Sequence, residues 1–257
     1  MERWGGGVEG WCGGGVVERR GDGVERLAER AFVWAGGGVF VASLAFCAAS
    51  YALRWSIPDG NGWPAAAFDT LLVSVFAAHH SVFAREGVKR WLARRVPDRL
   101  LRSVYVWTAS LLLFATCAAW RPIGHEVFRL GGARLWLLAF VQLLGVWLSV
   151  LAVRGLDPLE LAGIRHSSLE SRPATADQRL TTHGPYRLVR HPLYLGWMLI
   201  VFGAAHMTGD RLAFAVLTSG YLLVAIPWEE QSLVRSWGDE YRRYRQQVRW
   251  RVIPFIY

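Results

Sequence analysis

Two stretches of this chain concentrate side chains that bind charge or move protons. The first reads Gln178-Arg-Leu-Thr-Thr-His-Gly-Pro-Tyr-Arg-Leu-Val-Arg-His-Pro-Leu-Tyr-Leu-Gly196. The second reads Pro227-Trp-Glu-Glu-Gln-Ser-Leu-Val-Arg-Ser-Trp-Gly-Asp-Glu-Tyr-Arg-Arg-Tyr244. In the first, Gly184-Pro185 punctuates the chain and Pro192 suits the first turn of a helix. Free N–H groups at that helix start suit a carboxylate or phosphate. Arg187 and Arg190 add charge-assisted donors, and the faces of Tyr186 and Tyr194 suit a cation. The same arginines equally suit headgroup anchoring, with the tyrosines in an interfacial belt. His191, between an Arg and a Pro, has little reason to be there for packing and titrates near neutral pH. In the second stretch, Glu229 and Glu230 repel each other and resist desolvation unless paired or liganded. Their plainer reading is a solvated pair at a helix start just after Pro227.

The elements that must position these groups are membrane helices. Apolar runs recur at Ala31–Leu53, Trp63–Phe83, Val104–Trp120, Leu135–Val153, Leu193–His206 and Leu212–Trp228. A span needs about 20 apolar residues, so the first four qualify, the fifth is short and the sixth is marginal. The last two, joined by Met207 to Arg211, read as a tight antiparallel hairpin that brings the two polar stretches to one pocket. Six spans put 24 of the 29 basic residues on one side and only Arg54, Arg121, Arg129, Arg134 and Arg211 on the other. That asymmetry predicts cytoplasmic termini. The expected fold is all-α: a polytopic membrane protein of about six transmembrane helices plus a C-terminal amphipathic helix. In that last helix Trp237, Tyr241, Tyr244 and Val248 form a stripe opposite Arg242, Arg243, Arg245 and Arg249. It suits the inner leaflet or a lid over the pocket.

Composition agrees. Hydrophobic residues make up 53% and charged residues 19%, with 14 tryptophans. These values exclude a disordered chain and a disulfide scaffold, and they favour a membrane setting. The net charge of +9 lies in clusters between apolar runs, which fits anionic headgroups rather than nucleic acid. Cys12, Cys47 and Cys117 have no metal spacing, and the seven histidines form no di-iron boxes. Asp69, His79, His80 and Gln142 lie near membrane depth, and His79-His80-Ser81 ends the second span on the pocket side. Residues 1–30, rich in Gly and mixed charge, read as a flexible cytosolic tail ahead of one membrane-embedded domain over 31–257.

The pattern Gly184-Pro-Tyr-Arg-x-x-Arg-His-Pro-x-Tyr-x-Gly196, then Glu229-Glu230-x-x-Leu233, Asp239/Glu240-Tyr241-x-x-Tyr244 and Pro254, resembles the isoprenylcysteine carboxyl methyltransferase/phospholipid methyltransferase superfamily. Its core covers 178–257. Phe76-Ala-Ala-His-His-Ser-Val-Phe-Ala-Arg85, Arg102-Ser-Val-Tyr-Val106 and Trp120-Arg-Pro122 resemble a bacterial branch of NnrU-like proteins and methanethiol S-methyltransferases. The resemblance implies an S-adenosyl-L-methionine-dependent membrane methyltransferase in the bacterial inner membrane. Its acceptor is a small thiol or a lipophilic molecule, and its other partners are membrane lipids. It implies cofactor contacts at Gln178, Arg179, Leu180, Thr181, Tyr186, His191, Pro192, Leu193, Tyr194, Glu229 and Glu230, with Arg190, His191 and Glu230 as catalytic residues. Tyrosine faces and a Glu suit the cofactor's cations, and Arg190 or His191 suits a thiol that must lose its proton. Prenylcysteine enzymes carry a substrate-binding Arg one turn before the Glu; Ile226 stands there instead, against a prenylcysteine carboxylate. The alternative is a non-catalytic NnrU-like membrane protein that supports nitrogen-oxide respiration or assembles a partner.

Overall fold

The computed structural model describes residues 20–83, 85–154, 159, 162–164 and 180–257, with side chains from residue 26 onward except that of Glu86. Eight helices carry the described residues: α1 Arg20–Ala52, α2 Trp63–Phe83, α3 Glu86–Ala93, α4 Asp98–Ala119, α5 Ala133–Arg154, α6 Pro192–Phe202, α7 Gly209–Trp237 and α8 Asp239–Gln247. Five of these (α1, α2, α4, α5 and α7) are long and apolar enough to cross a membrane. The protein is an all-α integral membrane protein. On α5, Leu137, Phe140, Leu143 and Trp147 stay exposed, as a lipid-facing stripe requires.

The expected hairpin is present with different proportions. Helix α6 has only 11 residues and rises about 16 Å, half a bilayer. A short irregular link, 203–205, follows it and leads into strand β2, His206–Thr208. That strand pairs antiparallel with β1, Glu126–Arg129, from the α4–α5 loop, a small sheet that hydropathy does not signal. Helix α7 is far from marginal: it runs 29 residues, straight through Pro227, and Gly238, at φ +54°, then turns the chain into α8. Helix α1 begins at Arg20, so the expected boundary at residue 30 falls within a helix. Glu25-Arg-Leu-Ala-Glu-Arg30 is rich in helix formers.

Two devices fix the hairpin. At the end remote from the polar stretches, Asp210 accepts hydrogen bonds from Trp120 Nε1 at 2.8 Å and from the N–H groups of Ile123 and Gly124 at 2.9 Å. Arg211 donates to the last carbonyls of α1, Tyr51 at 2.9 Å and Ala52 at 2.8 Å, satisfying a helix C-terminus. Trp55, Trp120, Phe214 and Cys117 pack around this end. Along its length, α6 lies tight against α5. A Cβ on Gly196 would stand 2.4 Å from Ser149 Oγ and 2.9 Å from the Gly145 carbonyl. Gln142 Nε2 donates to the Ile200 carbonyl at 2.9 Å. Gln142 therefore joins helices, and Asp69 likewise accepts from the Arg121 N–H at 3.0 Å.

Candidate active site

At the other end of the hairpin the two polar stretches meet. The 3₁₀ turn Gly184–Arg187 leads through Val189 into Arg190 and His191, which pair with the C-terminal segment. The Arg190 N–H donates to the Trp250 carbonyl at 2.9 Å, and the His191 N–H donates to that of Arg251 at 2.8 Å. Pro192 then starts α6 and has no N–H of its own. Tyr194 and Leu195 both return their N–H groups to the His191 carbonyl, at 3.1 and 3.2 Å. At most the Leu193 N–H is left, so the expected anion site at this helix start shrinks to one donor.

Arg190 is engaged internally as well. Its Nε donates to Glu230 Oε1 at 2.6 Å, and Nη1 donates to the carbonyls of Val248 at 2.9 Å and Arg249 at 3.1 Å. The two charged side chains are 7% and 3% exposed. Arg190 is thus neither a headgroup anchor nor an open donor for a ligand. Arg187, in contrast, is exposed. Around Glu230, Arg245 Nε and Arg251 Nε each stand 3.7 Å from Oε2, and His191 Nε2 stands 3.5 Å from Oε1 without forming a hydrogen bond.

Since α7 runs unbroken through Pro227, Glu229 and Glu230 sit inside a helix rather than at its start. Neighbouring helical positions point about 100° apart, so the two carboxylates part company. Glu230 turns into the protein. Glu229, 42% exposed at its side chain, accepts the Tyr194 hydroxyl at 2.6 Å and lies 3.7 Å from His191 Nδ1. The His191 and Tyr194 rings stack with centroids 5.2 Å apart. Ile226 is buried with Met198 and Val252, where an Arg would have no room for its charge.

Helix α8 covers this cluster. Its stripe packs on the protein and not on the leaflet: Tyr241, Tyr244 and Val248 are buried with Leu180, Tyr186, Leu233, Val234 and Trp237. Tyr244 donates to the Tyr186 carbonyl at 2.8 Å. Burial pushes the Tyr241, Tyr244 and Tyr186 hydroxyls above the ordinary tyrosine range, and the nearby acids and tyrosines add to the effect. All three stay neutral at physiological pH. The Tyr241 hydroxyl is buried beside the cluster with no hydrogen-bond partner among the described residues.

Two cavities flank the cluster, and no residue lines both. One, of about 570 Å³, lies between α1, α2, α3 and α4 and reaches Glu229; its wall is mostly apolar, with His80, Tyr105, Lys89 and Arg102 at polar positions. The other, of about 440 Å³, lies between α5 and the 3₁₀ turn and is lined by Thr181, His183, Tyr186 and Trp147. Both fall in the size range of ligand sites, about 300–1,000 Å³.

Of the residues expected at the site, the structure clusters Arg190, His191, Tyr194, Glu229 and Glu230. Thr181 and Tyr186 line the smaller cavity instead. Leu180 packs under α8. Pro192 is buried, and neither it nor Leu193 lines either cavity. Gln178 and Arg179 lie outside the described residues. Sequence reasoning missed the approach of Arg245 and Arg251 to Glu230, and it missed Tyr105. Arg245, expected opposite the stripe, lies only about 40° round the helix from Tyr241 four residues earlier, so its spacing was a signal that was misread. None existed for Arg251, which arrives through the C-terminal segment's backbone pairing.

Comparison with known proteins adds to this geometry. The family model described as phospholipid methyltransferase matches residues 134–240. Methanethiol S-methyltransferase 2 of Bradyrhizobium diazoefficiens is 37% identical over 179 residues, 69% of each chain. Methanethiol S-methyltransferase of Mycobacterium tuberculosis is 37% identical over 185 residues, covering 69% of this chain and 74% of its own. Nurim of Danio rerio is 28% identical over 231 residues, 81% of this chain and 84% of its own. No solved structure matches.

Proposed function

The chain belongs to the phospholipid methyltransferase family, in the branch that holds the methanethiol S-methyltransferases, and from that premise we propose that it transfers a methyl group from S-adenosyl-L-methionine to a small thiol. The reaction is placed at the cytoplasmic face of the bacterial inner membrane, with both termini cytoplasmic, in keeping with the basic-residue asymmetry. The observation that carries the reading is the meeting of the two polar stretches: Arg190 on Glu230 at 2.6 Å, with His191, Tyr194 and Glu229 beside them. The residues fit a cationic cofactor. Among the described residues, the buried His191 Nε2 and Tyr241 hydroxyl make no hydrogen bond, and a buried polar atom without one is costly unless a ligand completes it. Glu229 and the Tyr194 ring offer negative charge and a π face.

The residues that would hold the cofactor are Tyr194, His191, Glu229 and Tyr241, with Thr181 and Tyr186 at the adjoining cavity. When bound, it supplies an electrophilic methyl on a sulfonium. The chain's own part is positioning and exclusion of water. The buried Arg190–Glu230 pair fastens α6, α7 and the C-terminal segment to one another, which fixes where His191 and Tyr194 sit. Tyr194 holds Glu229 in place, and α8 closes the cluster from the cytoplasm. Arg190 acts through these contacts as a positioning residue.

The test is binding and transfer with labelled S-adenosyl-L-methionine on the protein purified in detergent or nanodiscs, offering small thiols and phosphatidylethanolamine and identifying products by mass spectrometry. The wild type binds the cofactor and methylates thiols, and Glu230→Ala and His191→Ala lose both activities. A folded wild type that binds no cofactor overturns the proposal and favours a non-catalytic role.

A further inference from the structure

The larger cavity carries a second set of chemistry. At the end of α2, His80 lines it, with Nδ1 hydrogen-bonded to the hydroxyl of Tyr105 on α4. No hydrogen bond to its Nε2 is seen among the described residues. The pair is held from three sides. The His79 ring stacks on Tyr105 at 5.8 Å and 11°, His80 meets the Tyr221 ring of α7 edge-on at 6.0 Å, and Tyr221 is fixed by Ser81 at 3.2 Å. Lys89 of α3, Arg102 of α4, Glu229 of α7 and the hydroxyls of Ser43 and Ser110 complete the polar wall, and the rest is apolar side chains such as Phe40, Leu44 and Leu113. Glu229 also touches Tyr194 and His191. One carboxylate therefore belongs both to this cavity and to the cluster that would hold the methyl donor.

We propose that this cavity is the methyl-acceptor site and that His80 is the general base that takes the thiol proton. The inference rests on the thiol reading above. An alkyl thiol is mostly protonated near pH 7, since an ordinary thiol has a pKa near 8.5, and only the thiolate is a good nucleophile. In the step, the S–H proton passes to His80 Nε2 and the sulfur electron pair forms the new S–CH3 bond. The methyl–sulfur bond of the sulfonium donor breaks, leaving its electron pair on the donor sulfur. The proton then leaves His80 for water. The step uses the tautomer in which Nδ1–H donates to the Tyr105 oxygen, which leaves Nε2 as the basic nitrogen and makes Tyr105 a positioning residue. Lys89 and Arg102 favour the developing thiolate, and the apolar wall keeps water from competing.

The test compares two acceptors in His80→Gln and Tyr105→Phe: an alkanethiol, protonated at the assay pH, and an aryl thiol that is already ionised. A general base contributes about 10²–10⁴-fold. His80→Gln is expected to lose about 100-fold or more in kcat for the alkanethiol and to stay within about threefold of wild type for the aryl thiol. Its remaining alkanethiol rate should climb with pH as the thiol ionises by itself. Tyr105→Phe loses less, about tenfold, with the same selectivity between acceptors. Equilibrium dialysis of the aryl thiol without the donor reads the site separately, and saturable binding retained in both variants shows that they are folded. Equal losses for both thiols, or no loss in His80→Gln, overturn the base. Dialysis affinity unaltered by a bulky Ala109→Trp in the cavity wall overturns the site. A wild type that binds the cofactor but methylates neither thiol overturns the thiol reading, and the base with it.

Discussion

Replacing Glu230 by Leu should destabilise the protein more than replacing Arg190 by Met, and the double variant should recover much of the loss. Glu230→Leu leaves the Arg190 guanidinium, 7% exposed, with carbonyls but no counter-charge. Stranding one partner of a buried pair costs about 3–5 kcal/mol. Arg190→Met strands less charge, because Arg245 and Arg251 remain 3.7 Å from the carboxylate. Its cost is set largely by the Val248 and Arg249 carbonyls left without a donor, about 1–3 kcal/mol. In the double variant both buried charges are gone and only those carbonyls are orphaned, so it should sit about 1–3 kcal/mol below wild type, near the single Arg190 variant. The coupling between the sites is then about 3–5 kcal/mol, far above the few tenths expected of independent positions. At roughly 2–4 °C per kcal/mol for a chain near this size, Glu230→Leu lowers Tm by about 6–20 °C, and adding Arg190→Met raises it again. Thermal unfolding in detergent gives the four Tm values, and cofactor binding is measured on the same samples. The double variant should stay folded and bind no cofactor. Additive effects, or a double variant less stable than Glu230→Leu alone, would refute the claim that these two charges are mutually dependent.

Three further outcomes follow from the packing. Gly196→Ala should cost about 1–3 kcal/mol by overpacking, because its new Cβ meets Ser149 Oγ at 2.4 Å; Gly196→Ala combined with Ser149→Ala should regain part of that, read as Tm. Asp210→Ala strands three donors, the Trp120 indole N–H and the Ile123 and Gly124 N–H groups, and should cost about 3–5 kcal/mol. That loss should appear in Tm although the site is at the other end of the hairpin. Tyr241→Phe removes a buried hydroxyl that has no hydrogen-bond partner among the described residues, so Tm at neutral pH should hold or rise slightly while cofactor affinity falls. The raised Tyr241 value favours the folded state only while the unfolded tyrosine, with a pKa near 10, stays neutral. Wild-type Tm should therefore drop as pH climbs past about 10, and less steeply in Tyr241→Phe.

What the residues disclose before any coordinates divides along a physical line. Hydropathy and basic clustering depend on the bilayer, a solvent that acts on each segment by itself, and so the spans and the hairpin could be read directly. Pro192 and Gly184-Pro185 act on their own neighbours, and the turn into α6 was legible for the same reason. Pro227 misled because a proline breaks a helix only when nothing else holds the flanking turns. Here Glu230 with Arg190 on one side and Ile226 against Met198 and Val252 on the other keep α7 intact through it. The amphipathic stripe of α8 was visible, but periodicity marks a face without saying what covers it, and the cover proved to be Leu180, Tyr186 and Leu233. Arg190 and Glu230 were singled out one by one for their charge. Their mutual distance depends on three elements arriving together, the last of them through backbone bonds to Trp250 and Arg251 that any side chains could make. A charge is a property of a residue, whereas a charge made harmless by burial with its partner is a property of the fold. The same distinction separates His79 from His80, adjacent and identical in type. One is wedged between Phe83 and Tyr105 with neither ring nitrogen hydrogen-bonded among the described residues, and the other is hydrogen-bonded at the wall of a cavity where chemistry has room to occur.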